Sequence, residues 1–292
     1  SRRQSSRDLR KLLAEAKEKK VDGVLLDLSR NGGGLLETAV EIAGFFIKEG
    51  GIVAIKDTKS NAEVLRDHDE SILYDGPLVL LTSRISASAS EIVAGALKDY
   101  HRAVLVGDDH TFGKGTVQSM VPLAPGLGAL KVTTALFFRP GGESTQHNGV
   151  ASDVAIPSLS NHDDFGEANQ PYSLPGQRID GFLDNANLAP GEKAPWRPVT
   201  PELVQELAKR SAGRVNADEE FAEIRRQLEK AKKLDGVIRL SEILKEKKNG
   251  EGAGNASVAP PEADPESDPK EASPQQREAL QILADYVALL GP

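Results

Sequence analysis

The sequence predicts an α/β fold, because short apolar strands alternate with amphipathic helices along its first half. Three apolar runs of strand length, at 23–28, 78–82 and 103–107, are bounded by turn residues. Helical patterns separate them at 35–47 and 89–100, where apolar side chains recur at three- and four-residue spacing. Strand–helix–strand units of this kind build a largely parallel sheet, and we expect the first two runs to be buried strands.

The same patterns predict further elements and a division of the chain into segments. A helix is predicted at 6–20, and further strands are predicted at 52–56, 63–66, 115–120 and 129–138. In chain order we expect a core at 1–157, an irregular linker at 158–198, a helical extension at 199–248, a disordered acidic linker at 249–272 and a terminal helix at 273–292.

Helix signals mark the second half of the chain. Thr200-Pro201 combines a cap with a first-turn proline, and residues 217–234 carry an apolar stripe among dense charge. A short apolar segment follows at 237–244, and the run SPQQ at 273–276 is a capping box. We expect these helices to cap the core, because an amphipathic helix usually packs on its own domain.

Charge and cysteine content exclude several classes of function. The 292 residues carry a formal net charge of −8, which argues against a nucleic-acid partner, since such proteins show a basic stripe. The chain has no cysteine, so disulfides, thiolate zinc sites and a cysteine nucleophile are excluded. No apolar run approaches the roughly 18 residues that a membrane span needs, and no signal-peptide pattern is found.

Three short motifs carry candidate chemistry. The first is DLSRNGGG at 27–34, where glycines let backbone amides approach a carbonyl oxygen that gains charge. The second is SASASE at 86–91, at a strand-to-helix junction where a helix dipole favours negative charge. The third is TFGKGTVQ at 111–118, whose lysine lies between two glycines.

Each motif also has a structural explanation. The glycines alone suit a plain turn, and Ser88 with Glu91 has the spacing of a capping box, which is commoner than a nucleophile. Lys114 by itself is by default a surface lysine, although a lysine removed from solvent becomes a base near neutral pH. A phosphate-binding P-loop is rejected, because the required upstream glycine is missing.

The three motifs in this order resemble those of the tail-specific, or C-terminal processing, protease family S41. The resemblance covers roughly residues 8–157, including GESTQ at 142–146 and GV at 149–150. The family usually has proline before Asp153, where this chain has Ser152. The resemblance implies a crotonase- or ClpP-like core of βαβ units followed by a helical extension.

The resemblance also implies roles for individual residues. Ser88 would be the nucleophile, Lys114 its general base and Gln118 the residue that orients the lysine. The amide of Ala89, with that of Gly33 or Gly34, would form the oxyanion hole. The supporting positions that the resemblance implies are Glu91, Asp99 and Thr111. The sequence by itself leaves Ser86 and Ser90 open as nucleophiles, and only the resemblance favours Ser88.

Partners and location follow from the same resemblance. It implies protein or peptide substrates with exposed C-termini, no cofactor or metal, and a periplasmic location. An adaptor protein and a homo-oligomer remain open as partners. The family normally carries a PDZ domain, for which we find no pattern in this sequence. Either it is deleted or it lies upstream, and poor or unregulated cleavage is expected of a form that lacks it.

Three alternatives remain beside a Ser-Lys protease. A Ser-His-Asp enzyme would use His101 or His110 with Asp27 or Asp99, but would leave Lys114 without a role. A crotonase-like acyl-CoA enzyme would share the glycine-rich loops without needing the Ser88–Lys114 pair. A catalytically inactive scaffold would bind peptides without cutting them.

Overall fold

A computed structural model describes residues 5–59, 61–162, 165–183, 196–234 and 272–291 of the protein. Helices and strands are interleaved as far as residue 107, as the apolar patterns predict, and three further strands and three α-helices follow in the described ranges. In chain order they are α1 Ser5–Glu18, β1 Val24–Asp27, α2 Leu36–Gly44, β2 Gly50–Lys56, β3 Glu63–Asp67, β4 Leu78–Thr82, α3 Ala89–Asp99, β5 Val104–Gly107, β6 Thr116–Pro122, β7 Ala129–Phe138, β8 Val154–Ala155, α4 Pro201–Ala217, α5 Glu219–Leu234 and α6 Pro274–Leu290.

The described strands form two sheets of four strands each. The first is parallel and has the order β1-β4-β5-β8, and the second has the order β3-β2-β7-β6 and is antiparallel. The predicted largely parallel sheet therefore accounts for only half of the strands. The physical reason is chain reversal: β6 and β7 are joined by a short turn, and parallel strands need a longer crossover.

Two apolar clusters cover the two faces of the parallel sheet. In β4, Leu78 and Leu80 belong to one cluster, while Val79 and Leu81 belong to the other, because successive strand residues point to opposite faces. The first cluster contains side chains of α2 and α3. The second contains side chains of α4, α5 and α6, including Leu207, Phe221, Ala279, Ile282 and Tyr286.

The terminal helix α6 therefore packs against the parallel sheet as part of the core. Its N-terminus has the predicted capping box, in which Gln276 N–H donates to Ser273 Oγ at 3.2 Å and Ser273 N–H donates to Gln276 Oε1 at 2.9 Å. Gln276 also donates to Asp27 Oδ2 at 2.7 Å, which ties α6 to the end of β1.

The expectation of a buried strand holds for β4 and fails in part for β1. All residues of β4 are buried, whereas the first three residues of β1 are half-buried and Asp27 is exposed. The reason is position, since β1 is the edge strand of the parallel sheet. The described parts of the predicted linker at 158–198 are irregular apart from the short 3-10 helix Glu167–Asn169.

Some predicted elements lie outside the described residues. These are the apolar segment 237–244 and the acidic linker up to residue 271. Among the helices that the structure does describe, none has both the length and the apolar character needed to cross a bilayer.

Candidate active site

The glycine loop after β1 lies directly against Ser88. Gly33 has φ +105°, and a Cβ there would lie 2.7 Å from the Ala87 carbonyl oxygen and 2.8 Å from Ser88 Cβ. Only glycine tolerates both this conformation and this approach. The structure therefore brings the first two motifs together, although more than fifty residues separate them in the chain.

Asn31 fixes the loop to the start of α3. Its carbonyl oxygen accepts from Ala87 N–H at 3.2 Å and from Ser90 Oγ at 2.9 Å, and its side-chain Oδ1 accepts from Gly33 N–H at 2.9 Å. The sequence by itself predicts no separate role for Asn31. The signal that could have indicated one is the spacing of Asn31 and Gly33, because an asparagine side chain often accepts from the backbone N–H two residues further on.

Ser88 lies at the junction between the loop that follows β4 and the first turn of α3. It is half-buried, and its backbone has φ 56° and ψ −115°. A residue other than glycine in such a conformation costs on the order of 1–3 kcal/mol and persists only where the surroundings hold it. Strain of this kind is concentrated at functional sites, and here it falls on the serine of the motif that the resemblance selects.

The neighbouring serines have structural partners. Ser86 is fully buried, donates to the Leu28 carbonyl oxygen at 2.8 Å and accepts from Ser83 N–H at 2.9 Å. Ser90 is also buried, and its hydroxyl donates to Asn31 O. Both hydroxyls hold the glycine loop against α3, so they are poorly placed to attack a substrate.

Glu91 connects the serine motif to the lysine motif. It is fully buried, and its Oε2 accepts from Ser88 N–H at 2.7 Å and from Lys114 N–H at 2.9 Å. Its Oε1 accepts from Thr111 Oγ1 at 2.6 Å and from Gly113 N–H at 2.7 Å. One carboxylate therefore holds the backbones of Ser88 and Lys114 close together, and Thr111 is one of its four hydrogen-bond donors.

Lys114 and Gln118 are also brought together. Lys114 is half-buried, and its Nζ donates to Gln118 Oε1 at 3.4 Å, a long hydrogen bond. Gln118 lies in β6, so the strand carries the side chain that holds the lysine. Among the contacts that the structure describes, Lys114 Nζ has no hydrogen bond to Ser88 Oγ.

Two backbone amides, one next to Ser88 in the chain and one next to Gly33, have no acceptor in the described part of the chain. These are the N–H groups of Ala89, the first residue of α3, and Gly34. The Gly33 amide, by contrast, already donates to Asn31 Oδ1. The amides of Ala89 and Gly34 therefore remain able to donate to a ligand, and Ala89 lies at the positive end of the α3 dipole.

Asp99 is the expected site residue that the structure does not bring to Ser88. It lies at the other end of α3, about 16 Å away along the helix at 1.5 Å per residue. There its carboxylate accepts from Arg139 Nε at 2.9 Å and from Gly141 N–H at 2.8 Å. Its contacts hold α3 to the turn after β7.

Comparison with known proteins decides the family. The model of peptidase family S41 matches residues 2–156, which is just over half of the chain. The chain belongs to peptidase family S41.

Relatives of this S41 chain are longer proteins. It is 34% identical over 267 residues to the tail-specific protease of Haemophilus influenzae, covering 84% of this chain and 38% of that protein. It is 43% identical over 138 residues to the carboxy-terminal-processing protease of Bartonella bacilliformis, covering 47% of this chain and 31% of that protein. A solved structure, the photosystem II D1 C-terminal processing protease, is 35% identical with a TM-score of 0.49, covering 52% of this chain and 39% of that chain.

The histidines of this S41 chain do not form a Ser-His-Asp arrangement in the described residues. His110 Nδ1 lies 2.6 Å from the Thr111 carbonyl oxygen, and His101 follows the far end of α3. Asp27 accepts from Ser29 and from Gln276. Within the described ranges, no three histidine or acidic side chains are grouped as metal ligands.

Burial of Glu91 predicts a pH-dependent stability. Burial raises the pKa of Glu91 from its ordinary 4.5 to about 7, although its four hydrogen bonds oppose the shift. The folded state thus binds a proton more tightly than the unfolded state. The linked stabilisation is complete below a pH of about 4.5 and is lost as pH rises through about 7.

Glu91→Gln should remove this dependence. We expect the free energy of unfolding of the unaltered chain, relative to that of Glu91→Gln, to fall by on the order of 2–3 kcal/mol between pH of about 4.5 and about 8. Urea unfolding at several pH values measures it. The same change at the exposed Glu18 is the control. The prediction would be contradicted if the free energy of unfolding changed with pH by the same amount in the unaltered chain and in Glu91→Gln.

Proposed function

We propose that the chain carries the catalytic site of a serine endopeptidase that cleaves proteins near their C-termini through a Ser-Lys dyad. The observation that carries the proposal is the position of Glu91 in a member of family S41: one buried carboxylate oxygen accepts from the backbones of both Ser88 and Lys114. The C-terminal specificity rests on the names of the relatives, which are tail-specific and carboxy-terminal-processing proteases.

In the proposed reaction, Ser88 Oγ attacks the carbonyl carbon of the scissile bond while neutral Lys114 Nζ accepts the hydroxyl proton. The negative oxygen of the tetrahedral intermediate accepts from the amides of Ala89 and Gly34. The C–N bond then breaks, and Lys114 gives its proton to the leaving amine. Water, deprotonated by Lys114, then attacks the carbonyl carbon of the resulting ester, the bond from that carbon to Ser88 Oγ breaks, and Lys114 returns the proton to Ser88 Oγ. Gln118 positions the lysine through its amide oxygen.

Residues 1–157 carry all of these groups, and we propose them as the protease core. Helices α4 and α6 cover the second face of its parallel sheet and stabilise it by burying apolar side chains. Substrates with exposed C-termini, a periplasmic location, an adaptor protein and a homo-oligomer are proposals that rest on the family resemblance alone.

A second candidate is a scaffold that binds peptides without cutting them. One observation favours it: in the described contacts, Lys114 Nζ donates to Gln118 and not to Ser88 Oγ. Catalytic hydrogen bonds often tighten only when substrate is bound, so the two candidates are separated by experiment.

The test combines proteolysis with active-site labelling. We expect the chain to cleave unfolded casein with or without EDTA, and a fluorophosphonate probe to label Ser88, as mapped by mass spectrometry. Product masses should show cuts near the C-terminus of the substrate. Binding of casein with neither cleavage nor labelling would support the scaffold instead, and loss of cleavage in EDTA would contradict the metal-free mechanism.

A further inference from the structure

Strand β6 presents an open edge that starts beside the candidate dyad. It is the last strand of the antiparallel sheet and pairs only with β7 among the described strands. It begins at Thr116, two residues after Lys114, and carries Gln118, whose amide oxygen holds the lysine Nζ. Unpaired N–H and C=O groups along such an edge are a template for another extended chain.

Strand β6 and the turn that follows it are uncharged and rich in exposed apolar side chains. Residues 115–130 contain no charged side chain, although 27% of the whole sequence is charged. Five of the thirteen exposed large apolar side chains in the described residues lie within this stretch: Met120, Val121, Leu123, Leu127 and Leu130. Proteins usually protect exposed strand edges with lysine or proline, and here Pro122 stands only at the end of β6. An edge left open and apolar in this way indicates a binding surface.

The geometry of β6 relates this surface to the scissile bond. Gln118 and Met120 are two residues apart, so their side chains lie on the same face of the strand, about 7 Å apart along it. Met120 is 63% exposed and lies opposite Lys131 of β7. A peptide paired with β6 beside Met120 would therefore place a side chain on the face that also bears the Lys114–Gln118 contact.

We propose that the β6 edge from Gln118 to Val121 binds the substrate as an added strand, and that Met120 contacts an apolar substrate side chain near the scissile bond. The occupant is thus an extended, uncharged peptide segment, held by backbone hydrogen bonds and selected by apolar contact. This inference rests on the proposed function and adds to it the strand and the side chain that contact the substrate.

The test measures peptide binding without requiring catalysis. A dye-labelled peptide of alanine, valine and leucine is titrated into the full chain carrying Ser88→Ala, and fluorescence anisotropy gives Kd. Met120→Glu should raise Kd at least about tenfold, because the charge loses solvation against an apolar partner. The matched control is Leu12→Glu on α1, where the leucine is 60% exposed, and it should leave Kd unchanged. Circular dichroism checks that both variants fold.

A second arm needs no change in β6. The same peptide with methylated backbone nitrogens cannot donate strand hydrogen bonds, and its Kd should also rise at least about tenfold. The inference would be overturned if both peptides bound with equal Kd, or if the unmethylated peptide bound the Met120→Glu variant as tightly as the protein with Met120. Casein cleavage that is unaffected by Met120→Glu would also overturn it and leave the proposed function intact. If the unaltered chain bound the peptide through β6 but cleaved no casein, the inference would stand and the proposed function would be contradicted.

Discussion

Replacing Ser88 with alanine is expected to lower kcat for peptide cleavage by about 10⁴–10⁶-fold and to abolish fluorophosphonate labelling. The loss follows because the proposed nucleophile is removed, and the neighbouring hydroxyls of Ser86 and Ser90 already donate to carbonyl oxygens. The fold should persist, since Glu91 accepts from the Ser88 backbone N–H, which alanine retains. Single-turnover kinetics on a fluorogenic peptide, with Tm recorded for the same samples, measures both effects.

Ser86→Ala is the matched control for this prediction. It removes a buried hydroxyl that bonds to Leu28 O and to Ser83 N–H, so we expect a loss of stability of about 1–3 kcal/mol. Labelling of Ser88 should continue in this variant. If Ser86→Ala abolished labelling while Ser88→Ala kept it, the assignment of the nucleophile would be wrong.

Replacing Lys114 with alanine should lower kcat by about 10²–10⁴-fold, the usual contribution of a general base. Lys114→Arg should not restore activity, because a guanidinium keeps its proton and cannot accept another. Lys56→Ala, at an exposed lysine of β2, is the control and should leave kcat unchanged. Activity of Lys114→Arg close to that of the unaltered chain would contradict a lysine base.

The pH profile gives an independent check on Lys114. Only the neutral amine accepts a proton from Ser88, so kcat/KM should rise from mildly acidic to alkaline pH. Protonation of Glu91 also falls in this range, since burial raises its pKa to about 7. Measuring Glu91→Gln alongside separates the two groups: a rise that persists in this variant belongs to Lys114, and a flat profile in both proteins contradicts the mechanism.

Local sequence patterns determined the positions of several strands and helices and indicated the family. Apolar runs of strand length placed β4 and β5, helical periodicity placed α2 and α3, and the capping box at Ser273 placed the start of α6. Three motifs in order indicated the family, which the match to residues 2–156 confirmed. These features depend on residues close together in the chain, so they can be read from the sequence directly.

The tertiary structure decided which residues meet. It gave the hydroxyls of Ser86 and Ser90 acceptors near the glycine loop, and it placed the Asp99 carboxylate against Arg139. It also formed a second, antiparallel sheet and placed α6 against the first. These outcomes depend on contacts between residues far apart in the chain, whose pairing is fixed by burial and hydrogen bonding across the whole fold and by no local pattern.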